Sequence, residues 1–300
     1  MKVSIIGSGQ VGSRMGLQLK RLDHEVIFYD VIEKPLVELR KNGYRCTTDL
    51  NEAIAASEVS IIAVPTPLGK DGRFDLSFVS AAGKELGRAL KKKGTWHVFV
   101  LKSTVTPGST HGTFSPAIAS AGLTEGKDFG VVYNPEFLTV ISGTWSVDKK
   151  FDITPEKEGR IVIGSGDSKS GDIVEGMYKS LGVPVYRTNV ETAEATKMIA
   201  NSRLPLVISF TNEVTELLKE ANAKQGLAID VEQAIKLVHA DPRIGHYGSV
   251  YGKAYGGPCF KKDPNAFAGW LADSTGRKSK LIESTIEVNA DMAKRSGVRE

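Results

Sequence analysis

The residues best suited to do chemistry lie late in the chain, in Ala254-Tyr-Gly-Gly-Pro-Cys-Phe-Lys-Lys-Asp263-Pro264. A thiol, Cys259, follows two glycines, and an aspartate lies four residues on. Gly256 and Gly257 allow φ > 0 or a close backbone approach to a ligand. Asp263 before Pro264 reads as an N-cap and first helical residue. The thiol would then sit just ahead of a helix N-terminus, where the dipole favours a thiolate. The same pattern also fits a small buried cysteine followed by a capping aspartate. A second pair, Lys197 and Asn201 in Ala193-Glu-Ala-Thr-Lys-Met-Ile-Ala-Asn201, shares one face at helical spacing. A cation and an amide there can hold an oxyanion or a substrate hydroxyl. A solvated helix face fits that pair as well.

The other end of the chain carries a phosphate-binding pattern. Val3-Ser-Ile-Ile6 is a short apolar run, followed by Gly7-Ser-Gly9-Gln10-Val11-Gly12 and an amphipathic stretch over 13–22. This is G-x-G-x-x-G between a strand and a helix, the context the motif requires. The first glycine makes the tight turn, the second lets the backbone reach a pyrophosphate, and the third permits close helix–strand packing. Backbone N–H groups and the helix dipole supply the anion site. A second strand, Glu25-Val-Ile-Phe-Tyr29, ends in Asp30. A carboxylate there binds both ribose hydroxyls and repels a 2′-phosphate, so the cofactor reads as NAD rather than NADP. The competing reading is a glycine-rich turn in an unliganded α/β domain.

These residues need elements to position them. Strands are expected at 2–6, 24–30, 58–64, 96–102 and 129–133, with helices at 10–21, 32–42, 50–56, 76–92 and 110–121. Such alternation implies right-handed crossovers and a Rossmann-like, doubly wound parallel sheet. Ligands bind beyond the carboxyl ends of its strands. Three of those ends carry Pro65-Thr66-Pro67, Ser103-Thr104-Val105 and Asn134-Pro135-Glu136. Two more strands are expected at 160–164 and 183–187 around a helix at 169–181. From Glu191 a long helical pattern runs to Ala223, interrupted by Pro205, and helices follow at 231–239 and 263–298. The fold class is therefore α/β, with an NAD-binding domain over 1–190 and a helical dimerisation domain over 191–300 that carries the cysteine. Residues 241–257 read as a loop too polar for core and long enough to bind something. Residues 139–159 read as a surface loop.

Composition narrows the partners. The chain has 300 residues and a net charge of +4, with basic residues spread rather than massed. That excess is too small to argue for nucleic acid, but a mildly basic site suits a small anionic substrate. The run Lys91-Lys92-Lys93 reads as a solvated helix end. Two cysteines, Cys46 and Cys259, make no disulfide framework and fit a reducing compartment. The N-terminus enters a strand directly, without a signal peptide, which gives a cytoplasmic expectation. No apolar run approaches the roughly 20 residues of a spanning helix, so no membrane role is expected. Nor does the sequence suggest a metal site.

The landmarks Gly7-Ser-Gly9-Gln-Val-Gly12, Val64-Pro-Thr-Pro67, Lys102-Ser-Thr-Val105, Asn134-Pro-Glu-Phe-Leu138, Ala193-Glu194, Lys197 and Asn201 recur in order. Phe210-Thr-Asn-Glu213, Asp241-Pro-Arg-Ile-Gly245 and Gly256-Gly-Pro-Cys-Phe-Lys-Lys-Asp263 complete the set. Over almost the whole chain this pattern resembles the UDP-glucose/GDP-mannose dehydrogenase family. The resemblance implies twofold oxidation of a primary alcohol to a carboxylate with two NAD molecules. It implies Cys259 as the nucleophile, forming first a thiohemiacetal and then a thioester. It gives Lys197, with Asp263 and a water, the first proton removal, and gives Asn201 and Lys197 the oxyanion. Thr104 and Glu136 would position the hydrolytic water. NAD would contact Gly7, Gly9, Gln10, Val11, Gly12, Asp30, Pro65, Thr66 and Thr104. Substrate would contact Glu136, Phe137, Leu138, Lys197, Asn201, Arg243, Tyr255 and Gly256. The family's arginine at the Arg243 position can reach across a dimer interface, and the helix from Glu191 matches its dimer core, so a homodimer is implied. The chemistry independently suits these residue types. A thiolate adduct tethers an intermediate between two steps, and a nearby cation stabilises developing oxyanions.

Two departures stand out. Thr139-Val140-Ile141 places a hydrophobe where the family has a second glutamate, and the chain ends where the family continues into a domain closing over the nucleotide. The expected function is thus a nucleotide-sugar 6-dehydrogenase. Its alternatives are a relative that oxidises a smaller phosphorylated or phosphonate alcohol, or a non-catalytic NAD-binding subunit.

Overall fold

The computed structural model describes residues 1–138, 145 and 159–296. The expected loop over 139–159 and the Thr139-Val140-Ile141 departure lie, but for Trp145 and Gly159, outside the described residues. The packing separates two compact units, and the division falls inside a helix, after Lys197. The first unit comprises 1–67, 74–137 and 159–197; the second comprises 68–73, 138, 145 and 198–296.

The first unit is built on strands β1 (Lys2–Ile6), β2 (Glu25–Tyr29), β3 (Arg45–Thr47), β4 (Val59–Ile62), β5 (His97–Leu101), β6 (Phe129–Tyr133), β7 (Ile161–Ser165) and β8 (Val185–Thr188). They form one sheet in the order β3-β2-β1-β4-β5-β6-β7-β8. All pairings are parallel, as expected of a doubly wound sheet, except β6 with β7, which is antiparallel. Strands β4, β5 and β6 are buried throughout, as expected when helices cover both faces. Those helices are α1 (Gln10–Arg21), α2 (Leu36–Lys41), α3 (Leu50–Ala55), α4 (Ser77–Lys93), α5 (Ser115–Ala119) and α6 (Ser168–Tyr178). The three-residue β3 was not foreseen: Arg45-Cys-Thr47 is too short to show a period. The expected helix over 110–121 is instead a π-helical turn, Thr110–Phe114, running into α5.

Register does the positioning. Tyr29, Ile6, Ile62, Leu101 and Tyr133 pair as one row across five adjacent strands. The residues one step further, Asp30, Gly7, Ala63, Lys102 and Asn134, therefore leave the sheet along one carboxyl edge. Every strand-end motif singled out in the sequence lies on that edge. The reversal of strand order, between β1 and β4, is where a nucleotide crevice opens in such sheets.

Deeper in the sheet lies a polar cluster. Ser4 on β1 bonds Ser60 on β4 (2.7 Å), and Ser60 Oγ bonds His97 Nε2 on β5 (2.7 Å). Lys93 Nζ meets His97 Nδ1 at 3.0 Å. Of the Lys91-Lys92-Lys93 run, the first two are solvated as expected, but Lys93 turns inward.

The second unit is helical. It takes most of α7 (Val190–Gln225), then α8 (Val231–His239), the single turn α9 (Gly257–Phe260), α10 (Asp263–Thr275) and α11 (Lys280–Ser296). Pro205 does not end α7, contrary to the expected interruption. It cannot donate to the carbonyl of Asn201, four residues back, so one helical hydrogen bond is missing there. The turn Leu68–Arg73 belongs to this unit because Arg73 donates both its Nε and Nη2 to Asp273 on α10. Ile208 on α7 is fully buried. An exposed apolar stripe runs through Ile199, Phe210 and Leu217, which share a face at helical spacing.

Candidate active site

The dinucleotide motif is built as its spacing requires. Gly7 has φ +92°, and a Cβ there would lie 2.7 Å from the Ala63 carbonyl oxygen. A Cβ on Gly12 would lie 1.9 Å from the Gly7 carbonyl oxygen, so the third glycine lets α1 close on the loop. A Cβ on Gly9 would meet nothing within 4 Å: its Cα faces open space. Gly9 is the N-cap of α1 and no side chain caps that end, which leaves the first N–H groups, with Gln10 and Val11 behind them, to an anion. Asp30 accepts from the Ser8 N–H (2.9 Å) and the Ile32 N–H (3.2 Å), which fixes the carboxylate beside the loop with further lone pairs to spare for ribose hydroxyls. These residues fit NAD. On the same edge Pro65 is exposed, while Thr66 and Thr104 are buried.

Beyond β6 the first unit holds a buried ion pair. Lys197 Nζ lies 3.2 Å from Glu136 Oε1 and 2.5 Å from the Glu136 carbonyl oxygen, and both side chains are nearly inaccessible. The Phe137 ring lies under the same ammonium, 5.4 Å from Nζ to centroid. Bidentate capture of one residue through side chain and backbone fixes the ammonium in place. Glu194, one turn earlier on α7, is also buried. Its carboxylate accepts from the Gly108 N–H (2.6 Å) and from the N–H and hydroxyl of Thr110 (2.8 and 2.6 Å). Burial pushes the Glu194 carboxyl up, against the pull of those three donors.

In the second unit Asn201 Nδ2 donates to Asp263 Oδ2 at 2.6 Å, and Lys262 Nζ lies 2.6 Å from Asp263 Oδ1. Asp263 is fully buried and is the first residue of α10, not its N-cap: its carboxylate is engaged by Asn201 and Lys262 instead. Cys259 lies inside the single turn α9, half-buried, and neither cysteine is in a disulfide. Of Gly256 and Gly257, only Gly257 has positive φ (+83°). Gly256 is extended at φ −152°, which any residue adopts, so the expectation of a special conformation holds at one glycine of the two.

The loop ahead of Cys259 is held by two asparagine side chains that the sequence did not single out. Asn212 on α7 accepts from the Gly252 N–H (2.8 Å) and donates to the Lys253 carbonyl (2.9 Å). Asn289 on α11 accepts from the Tyr255 N–H (2.7 Å) and donates to its carbonyl (3.2 Å). Contrary to the expected polar loop, Tyr255 is buried and its hydroxyl turns to the Thr285 carbonyl (3.5 Å). Lys253 lies over the Trp145 ring, 5.1 Å from its centroid. Arg243 is exposed, its guanidinium held by Asp241 (Nη2 to Oδ2, 2.5 Å), which keeps the Asp241 carboxyl low. Leu138 is half-buried. Of the residues missed, Asn212 and Lys262 sit inside motif segments, where neighbouring residues drew the attention. Asn289 has no local signal at all.

Among the described residues no group of His, Cys, Asp and Glu could hold a metal, and no helix is long and apolar enough to cross a membrane.

Comparison with known proteins places the chain in a family. The profile of the UDP-glucose/GDP-mannose dehydrogenase family NAD binding domain matches residues 1–182, and that of the family's central domain matches 191–291. A GDP-mannose 6-dehydrogenase of Pseudomonas syringae pv. syringae is 31% identical over 96% of this chain and 68% of its own length. A UDP-glucose 6-dehydrogenase of Bacillus subtilis (strain 168) is 33% identical over 96% of the chain and 62% of its own length. The solved structure of a UDP-glucose dehydrogenase from the archaeon Pyrobaculum islandicum superposes with a TM-score of 0.83 at 32% identity, covering 98% of this chain and 68% of that one. With both family domains matched in order over a Rossmann-like sheet and its helical sequel, the chain belongs to the UDP-glucose/GDP-mannose dehydrogenase family, NAD-dependent oxidoreductases.

Proposed function

We propose that this chain is a nucleotide-sugar 6-dehydrogenase that takes a primary alcohol to a carboxylate in two successive oxidations. The observation that carries the reading is the pair of buried contacts one turn apart on α7, Lys197 with Glu136 and Asn201 with Asp263. A helix that commits a cation and an amide to buried carboxylates at consecutive turns is built for charge handling rather than solvation. NAD, when bound at Gly7–Gly12 and Asp30, supplies the hydride acceptor for each oxidation. Lys197, with Asp263 and a water, removes the alcohol proton. The Cys259 thiolate adds to the aldehyde carbon, and the C–S bond holds the intermediate between steps. Lys197 Nζ and the second N–H of the Asn201 amide stabilise the oxyanion of that adduct. Thr104 and Glu136 position the water that hydrolyses the thioester.

In the same reading residues 1–190 form the cofactor domain and 191–300 the helical domain. Two copies pair through the α7 stripe, and Arg243 contacts substrate. Two cysteines outside any disulfide suit the cytoplasm. A small phosphorylated or phosphonate alcohol would need hydrogen-bond donors from the 241–257 loop, and the Tyr255 hydroxyl turned to the Thr285 carbonyl and the Lys253 ammonium over the Trp145 ring support that alternative less well. The test is a panel of UDP-glucose, GDP-mannose, UDP-N-acetylhexosamines and small phosphorylated or phosphonate alcohols, scored by NADH formed. Turnover of a nucleotide sugar is expected. Activity with the small anionic alcohols alone would overturn the substrate assignment.

A further inference from the structure

Lys102 is the first residue beyond β5 and is only 2% exposed. Burying an ammonium is costly unless its donors are met. Its Nζ lies 2.8 Å from Asn134 Oδ1 and 3.5 Å from the Pro135 carbonyl oxygen. The Tyr178 hydroxyl donates to the same Asn134 Oδ1 at 2.7 Å, and its ring centroid lies 5.8 Å from Nζ. The other end of that amide, Asn134 Nδ2, donates to the Val162 carbonyl on β7 at 2.7 Å. Asn134 is thus gripped at both ends, from β5, α6 and β7. Pro135 fixes φ at the next residue. Glu136 follows, and it receives Lys197 on both its carbonyl and its carboxylate. One buried lysine holds the start of this three-residue turn and another holds its end.

We propose that Lys102 is a positioning residue: through Asn134 and Pro135 it sets the turn that presents the Glu136 carboxylate for thioester hydrolysis. The proposal rests on the reading of Glu136 given above. In that step a water oxygen bonds to the acyl carbon and its proton passes to the Glu136 carboxylate. The C–S bond breaks, and its electron pair leaves on the Cys259 sulfur as thiolate. In this proposal Lys102 acts through the turn and not on the water or the substrate. A shift of the turn is enough to misplace the carboxylate, and misplacement by about 1 Å can cost about 100-fold in rate.

The test compares Lys102→Met, Tyr178→Phe and Glu136→Gln with UDP-glucose and GDP-mannose as probes. It reads NAD affinity, the NADH burst of the first turnover, steady-state kcat and the intact mass of the enzyme. Met is close to lysine in length and carries no charge. The expected result for Lys102→Met is unchanged NAD affinity, a retained burst and a kcat lower by about 100-fold, with acyl adduct accumulating on Cys259. Tyr178→Phe, which removes one hydrogen bond to Asn134, should show the same pattern with a kcat lower by about tenfold. If Glu136→Gln accumulates no adduct, the reading of Glu136 has failed and the proposal falls with it. If Glu136→Gln accumulates adduct but Lys102→Met and Tyr178→Phe do not, the reading stands and the proposal is wrong. Parallel loss of NAD affinity and burst in Tyr178→Phe would also overturn it, as the mark of a purely structural role. Should Lys102→Met fail to fold, Tyr178→Phe decides alone.

Discussion

Acid should destabilise this protein through His97. The ring is fully buried, with Nδ1 3.0 Å from Lys93 Nζ and Nε2 2.7 Å from Ser60 Oγ. An ammonium only donates, so Nδ1 is the acceptor and the neutral ring carries its proton on Nε2, donating to Ser60. A second proton would have to sit on Nδ1, facing Lys93. Burial first, and the Lys93 charge second, push the pKa from 6.5 down to about 3. The unfolded chain therefore takes up a proton below 6.5 that the folded chain refuses until about 3. For a base with a depressed pKa the stability is fully present above the unfolded value and is lost as pH falls toward the folded one. Each pH unit in that window is worth about 1.4 kcal/mol, so about 1.5 units of acidification below the unfolded pKa removes about 2 kcal/mol. That is a large share of a typical margin of about 5–15 kcal/mol. The assay is urea unfolding near pH 8 and near pH 5, for the native chain and for His97→Gln, which keeps a donor toward Ser60 but cannot titrate. Other groups titrate in both proteins and cancel in the comparison. The native chain should lose about 2 kcal/mol more than the variant. Equal losses would refute the buried neutral ring.

The second and third glycines of the loop should fail differently. Gly12→Ala forces a Cβ to 1.9 Å from the Gly7 carbonyl and should cost about 1–3 kcal/mol of stability, read by thermal unfolding. Gly9→Ala places its Cβ in open space and should unfold as the native chain does, yet bind NAD about tenfold more weakly by titration. Asp30→Ala should weaken NAD and narrow its advantage over NADP, and tighter NADP binding by the native chain would contradict the role given to Asp30. Phe210, 65% exposed in the α7 stripe, should matter for association: light scattering should find a dimer that Phe210→Glu shifts to monomer. A native monomer at working concentration would remove the dimer and the cross-subunit role of Arg243.

Much of the fold was legible because local pattern and tertiary environment agree. Strands such as Phe129–Tyr133 are buried on both faces and rich in apolar residues, and the helices between strands, such as α1, are amphipathic, so periodicity and burial give one answer. What escaped were features fixed by partners distant in sequence. Arg45–Thr47 is a strand because β2 offers it an edge. Asp263 followed by proline carries a local capping signal, yet its carboxylate is taken by Asn201, sixty-two residues away. Lys93 looked like one of three solvated lysines until His97 and Ser57 gave it acceptors. In the site, the glycine loop and Lys197 were readable from motif spacing. The grip of Asn289 on Tyr255 joins two helical-unit segments thirty-four residues apart and leaves no trace in either segment alone.

The most direct test of the proposed chemistry is the ratio of NADH formed to nucleotide sugar consumed, measured for the native chain and for Cys259→Ala. The account predicts two NADH and one carboxylate per sugar from the native chain, and no carboxylate above background from the variant. One NADH per sugar, or carboxylate from Cys259→Ala at the native rate, would contradict it.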